Sequence, residues 1–296
     1  MCSSEAHSQI ASSNMQTDED TETYILLLLA DSNLPTGSFV ASSGLESYVK
    51  HGFASSAPSM DVAVVNFVRD SLASYARSSL PFVSDAYEAT RKYAERTDSD
   101  MEGEKDALDT LSELDELYQV MVLNHVARRA SMAQGVAMLT LYSKGFSQPP
   151  SLAAFATAGV QEFAGRMRKL MDRFKLKIRR EELNGHLPIC WGALTAALGI
   201  SLERSQYLHL FLHARSLISA SVRLNDLGPY GAQQILLHAV RPLVVTEVEK
   251  CRSLRTGHVE NPESFDEGVD GPANTWPLGE ILASRHDLQH SRIFNS

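Results

Sequence analysis

Two histidine pairs offer the most direct route to chemistry in this chain. His209 and His213 lie four residues apart, as do His286 and His290. On a helix that spacing puts both imidazoles on one face, close enough to share a metal ion. Two ligands are only part of a site, and no cysteine or carboxylate completes either pair at an obvious spacing. His209 also sits among Leu208, Leu210 and Phe211, the setting of a structural histidine. No metal ligand is therefore assigned.

A second feature is cationic. Arg166, Lys169, Arg173, Lys177 and Arg180 recur at intervals of three and four, apart from an apolar stripe of Phe163, Met167, Leu170, Met171, Phe174 and Ile178. Such a face binds phosphate or an acidic partner, or is simply solvated. Glu181 and Glu182 dilute its field. Glu46 precedes Lys50 by four residues, an ion pair of favourable order worth roughly 0.3 kcal/mol on a helix; the alternative is a polar contact to a partner. The chain closes on Ser291-Arg292-Ile293-Phe294-Asn295-Ser296. Arginine and aromatic side chains are enriched at interface hot spots, whereas free termini usually fray.

Several chemistries lack their motifs. There is no G-x-x-x-x-G-K-[ST], no H-E-x-x-H and no G-x-S-x-G, so a P-loop nucleotide hydrolase is excluded and no catalytic residue is assigned. Cys2, Cys190 and Cys251 form no C-x-x-C, which indicates neither a disulfide framework nor a thiolate zinc site and suits a reducing compartment. A formal net charge of −9 argues against general nucleic-acid binding. The N-terminus has no basic n-region, and its apolar run at 25–30 is far below the roughly 20 residues that span a bilayer. A cytoplasmic protein with no membrane partner is expected.

These residues must be positioned by helices. The composition, 44% hydrophobic and 21% charged over 296 residues, supports a sizeable core. Helical periodicity recurs along the chain, with no alternating strands and no internal repeat. The expectation is an all-α single helical bundle of about ten helices over 23–296, after a disordered tail over 1–22. Polar loops are expected near 96–106 and 254–275, the second mobile. Pro81 is expected to end a helix that begins after Ser59, with another helix over 82–95; Pro242 should kink or break the helix from Tyr230.

One stretch organises the rest: Leu29-Ala30-Asp31-Ser32-Asn33-Leu34-Pro35-Thr36-Gly37-Ser38-Phe39, running on to Ser43-Gly44-Leu45-Glu46. Pro35 blocks helix continuation, Gly37 can take a positive φ, and Ser38 can cap a following helix. Gly44 is expected inside that helix, at a cost of roughly 1 kcal/mol against alanine, which suggests close approach by another helix or a partner.

Together these motifs resemble the UreF family of urease accessory proteins, in a eukaryotic-type member. The L-x-D-x-x-L-P-x-G-S-F stretch with S-G-L-E is similar to the family's N-terminal signature. LNHVARRASMAQGVAMLTL over 123–141 resembles its central helix. His186-Leu187-Pro188 through Ala196-Ala197-Leu198-Gly199-Ile200 resembles its H-x-P…A-A-x-L-G-I segment, and Arg285 to Ser296 resembles its R-H-E-x-Q-Y-S-R-L-F-x-S tail. Departures are His290 in place of tyrosine, a looser segment over 227–233, and longer polar loops.

The resemblance implies an all-helical, homodimeric, non-catalytic protein in nickel insertion into urease. It would bridge UreD (also called UreH) and the GTPase UreG on apo-urease, with nickel and GTP handled by partners and no cofactor of its own. It implies partner-binding roles for Phe39, Glu46, Gln134, Arg292 and Phe294, with Pro35, Gly37 and Gly44 shaping the turn. Two alternatives stand beside it: a GTPase-activating regulator supplying an arginine from the 166–180 face, and a direct nickel-binding chaperone using histidines. Corner and tail are expected to share one surface.

Overall fold

The structure is a computed structural model and describes residues 19–37, 41–96, 101–149, 151–152, 158–259 and 264–295. Phe39 and Ser38 lie outside the described residues. The chain runs through α1 (Glu19–Leu29), a 3-10 turn (Pro35–Gly37), α2 (Leu45–Lys50) and a second 3-10 turn (Phe53–Ser56). Next come α3 (Met60–Glu95), α4 (Met101–Met121), α5 (His125–Leu141) and α6 (Ala158–Arg179). Then follow α7 (Leu187–Ala197), α8 (Leu202–Arg223), α9 (Pro229–Ile235), α10 (Arg241–Cys251), α11 (Glu267–Asp270) and α12 (Pro277–Ser284). The fold is all-α, with no strand among the described residues.

The long helix α3 is the spine. Ser59 caps it by accepting the Val62 N–H at 3.3 Å. Its 36 residues continue through Pro81, which does not break it. Proline in mid-helix leaves the carbonyl four residues back without its donor. Here that carbonyl, on Arg77, accepts the Ala273 N–H at 3.4 Å, so a distant segment supplies the missing donor.

Helix α7 packs along α3 and is buried from Pro188 to Ala197. A helix apolar on every side belongs inside a protein, and this one forms the centre. Gly192 permits the approach: a Cβ there would stand 2.4 Å from the Val83 carbonyl oxygen and 2.9 Å from the Tyr87 nitrogen. Trp191, fully buried beside it, donates its indole N–H to the Ser205 carbonyl at 3.1 Å. Helices α4, α8 and α10 complete the core around α3, and α5 covers the other side of α7.

Three boundaries differ from the periodicity. Helix α1 begins at Glu19, within the span read as tail, because Glu22 is buried and caps α8. Its carboxylate accepts the Ser201 N–H at 2.7 Å and hydroxyl at 2.8 Å. Helix α4 begins at Met101, inside the expected loop, because its acidic first turn has partners. Buried Glu104 pairs with Lys169 at 2.9 Å and Arg173 at 2.7 Å. The described part of 254–275 is pinned. Asp85, buried in α3, accepts the Thr256 N–H at 2.8 Å, and the Arg255 N–H reaches the Asp270 carbonyl at 3.1 Å. Pro242 does not interrupt the helical backbone: α9 passes through a π turn (Leu236–Val240) directly into α10, where Pro242 stands in the first turn, the position that needs no N–H donor. No helix among the described residues is long and apolar enough to cross a membrane.

Candidate functional site

Corner and tail meet. The corner begins where α1 stops: Asp31 Oδ1 accepts the Asn33 N–H at 2.9 Å, and the Thr36 hydroxyl donates to the Leu29 carbonyl at 2.8 Å. Pro35 and Gly37 form the 3-10 turn between them. Gly44 stands at the N-cap of α2 with φ +88°, not within a helix as its sequence context suggested. That left-handed conformation suits glycine. The close approach is real: a Cβ on Gly44 would lie 3.2 Å from the Ala283 nitrogen of α12.

From α12 the chain makes a 3-10 turn (Arg285–Leu288) and then lies along α2. Glu46, fully buried, holds it there. Its carboxylate accepts the Ile293 N–H at 2.8 Å, the Phe294 N–H at 3.3 Å and the Lys50 ammonium at 2.8 Å. Lys50 also donates to the Ser291 carbonyl, and the Gln289 amide to the Ser47 hydroxyl. His286, also buried, donates from Nε2 to the Phe294 carbonyl at 3.0 Å, with Nδ1 4.0 Å from Glu46. Burial by itself would raise the Glu46 pKa. Lys50 and the two tail amides outweigh it and hold the carboxyl below its ordinary value.

Phe294 is 3% exposed, and the Arg223 guanidinium sits 4.6 Å from its ring centroid. The outer side of the tail is ionic. Arg129 clamps Asp287 with two bonds of 3.0 Å, Arg292 reaches it at 2.7 Å and His125 at 3.3 Å. Arg129 foremost, with Arg292 and His125, pulls the Asp287 carboxyl down to about 2.

The structure thus divides the residues singled out from the sequence. Glu46 and Phe294 are interior: in this state neither presents its side chain to a partner, and both anchor the tail. Arg292 remains 43% exposed on the outer side. Gln134, on α5, borders a cavity beside the corner. Phe39 lies outside the described residues. Asp287 and Arg129 were not singled out; they are paired across the fold, and only the R-H-D of the tail motif hinted at the acid.

The other candidates are absorbed internally. Lys169 and Arg173 pair with Glu104, Lys177 lies 3.9 Å from Asp109, and Arg166 donates to the Arg96 carbonyl. Much of the basic face is therefore matched by this chain's own groups. His286 and His290 do not share a helix face, because the helix ends between them: His286 is buried and His290 exposed. His209 and His213 do share one, stacked on Tyr75 with ring centroids 5.1 and 4.0 Å away. No group of three or more metal-binding side chains occurs among the described residues.

Burial, with His213 adding to it, pushes His209 down to about 3, and burial pushes His213 down to about 4. Unfolded, each would titrate near 6.5. The native state therefore binds fewer protons below that value. Stability is present above about pH 6.5 and is lost progressively as pH falls through that value toward about 4 for His213 and about 3 for His209. The two groups together should cost about 4 kcal/mol between pH 7 and pH 5. Denaturant midpoints at pH 7, 6 and 5 measure this, and His213→Gln should remove about half of the slope. A flat profile in the parent chain contradicts the assignment.

These features define an all-helical protein in which the stretch after the N-terminal corner is joined, through α2, to the C-terminal tail. The UreF family model matches residues 61–240. The chain is 42% identical to "Urease accessory protein 6" of Cryptococcus neoformans var. grubii, over 93% of this chain and 97% of that protein. It is 30% identical to an "Uncharacterized urease accessory protein UreF-like" of Schizosaccharomyces pombe, over 95% and 100%. It is 28% identical to "Urease accessory protein F" of Arabidopsis thaliana, over 90% of each. The chain belongs to the UreF family.

Proposed function

We propose that this protein is a non-catalytic adaptor in urease maturation. It bridges UreD/UreH and the GTPase UreG on apo-urease during nickel metallocentre assembly, as a cytoplasmic homodimer. The surface formed by corner and tail faces UreD/UreH, and Gln134 belongs to the polar contacts made beside it. Nickel and GTP are handled by the partners. The observation that supports this reading is the Glu46 clasp, which joins the tail to the stretch that follows the corner. The internal pairing of Lys169 and Arg173 weighs against an arginine donated from that face to a GTPase.

Deleting 291–296 is a poor test, because it removes buried Phe294 and with it part of the core. Arg292→Ala is better: its partner Asp287 keeps Arg129, so the fold should hold. Co-purification with tagged UreD/UreH should fall about tenfold or more, the scale of one interface hot spot, with the melting temperature unchanged. Undiminished capture would sink the proposed surface. Single-turnover GTP hydrolysis by UreG should be insensitive to alanine at Arg168 or Arg173.

A further inference from the structure

A cavity of about 610 Å³ lies between the corner, α3, α5 and α12. Small-molecule sites typically span about 300–1,000 Å³. One wall is apolar, with Met121, Val122, Val126 and Trp276. A recess of about 20 Å³ adjoins it, and Tyr75, Gln134, Leu187 and His213 border both spaces. A water needs roughly 10–15 Å³ of such volume, so the recess admits about one heavy atom. His209 borders the recess. It is buried, and its Nε2 has no hydrogen-bond partner among the described residues. An unpaired buried polar atom costs about 1–3 kcal/mol, which a ligand could recover.

We propose that this cavity binds a small uncharged molecule bearing a hydroxyl group on a flat apolar body, a phenol in chemical class, with the hydroxyl in the recess against His209. A single oxygen matches the recess. A hydroxyl both donates and accepts, so it satisfies Nε2 in either tautomer of the imidazole. The Gln134 amide, which borders both spaces, supplies a second donor and acceptor. The ring lies against the apolar side. Charge is disfavoured: no Asp, Glu, Lys or Arg among the described residues borders the recess, and Glu280 is the one such residue of the described lining around the larger space, where His213 is held neutral by burial. Its carboxylate repels anions in particular. This site goes beyond the adaptor role and does not depend on it.

The test uses the full chain with phenol as probe and toluene as the control of like shape without a hydroxyl. Ligand-observed NMR titrations and thermal melts should show saturable phenol binding that raises the melting temperature. Toluene should bind about tenfold more weakly, the value of one good hydrogen bond. His209→Leu should abolish the preference for phenol over toluene. Gln134→Leu, which leaves the buried histidines in place, should weaken phenol about threefold or more. The proposal is overturned if phenol shows no saturable binding or toluene binds equally well. It is likewise overturned if phenol affinity is unchanged in Gln134→Leu and in a folded His209→Leu.

Discussion

Replacing Glu46 with alanine is expected to detach the C-terminal segment from α2 while leaving the helical bundle assembled. The carboxylate is the shared acceptor for two tail amides and for Lys50, and it is fully buried. Hydrogen bonds to a charged group are worth about 1.5–3 kcal/mol each, and an orphaned buried donor costs about 1–3 kcal/mol. The released tail can rehydrate, so the net loss should be about 2–4 kcal/mol. Hydrogen exchange at the Ile293 and Phe294 amides is the direct measure: protection should vanish there while amides in α3 and α7 stay protected. Carboxypeptidase should trim the variant and spare the parent.

Glu46→Gln keeps an acceptor but lacks the charge that draws in Lys50, so an intermediate loss is expected. Because its partners hold the Glu46 carboxyl below its ordinary value, the clasp is fully formed at pH 7. It weakens only as pH falls through the unfolded carboxyl range toward that lower value. Unchanged protection in Glu46→Ala would show that Phe294, held beneath Arg223, is sufficient to seat the tail.

Gly192→Ala should do more damage than any change at the surface. The added Cβ would meet the Val83 carbonyl oxygen at 2.4 Å and the Tyr87 nitrogen at 2.9 Å, both backbone atoms of α3. Neither can rotate away as a side chain would, so α7 must move off the spine. Overpacking costs about 1–3 kcal/mol, and the upper end is expected where the obstacle is backbone. The same substitution at Gly165 is the control, since a Cβ there meets nothing within 4 Å. At that exposed helical position alanine should gain up to about 1 kcal/mol. Chemical denaturation should therefore separate the variants by several kcal/mol in opposite directions. Equal stability would mean that α7 is not packed on α3 as described.

The legible and the illegible parts differ in range. The start of helix α3 after Ser59 followed from periodicity and from the Ser59 cap, which act within a few residues. Pro81 misled because its remedy is remote: the donor to Arg77 comes from Ala273. The onset of α4 was hidden for a like reason, since Glu104 finds Lys169 and Arg173 on α6. At the site, Glu46 and Arg292 were visible as types and positions. Their opposite fates, one interior and one exposed, were not.

By itself the sequence determined the helical architecture, the family and the two stretches that mark it, because each rests on local spacing or on motif order. Tertiary structure decided how corner and tail are joined. Glu46 reads as half of an ordinary helical ion pair until Ile293 and Phe294 are brought against it from the far end of the chain. A buried carboxylate needs donors, and only the folded chain could supply them.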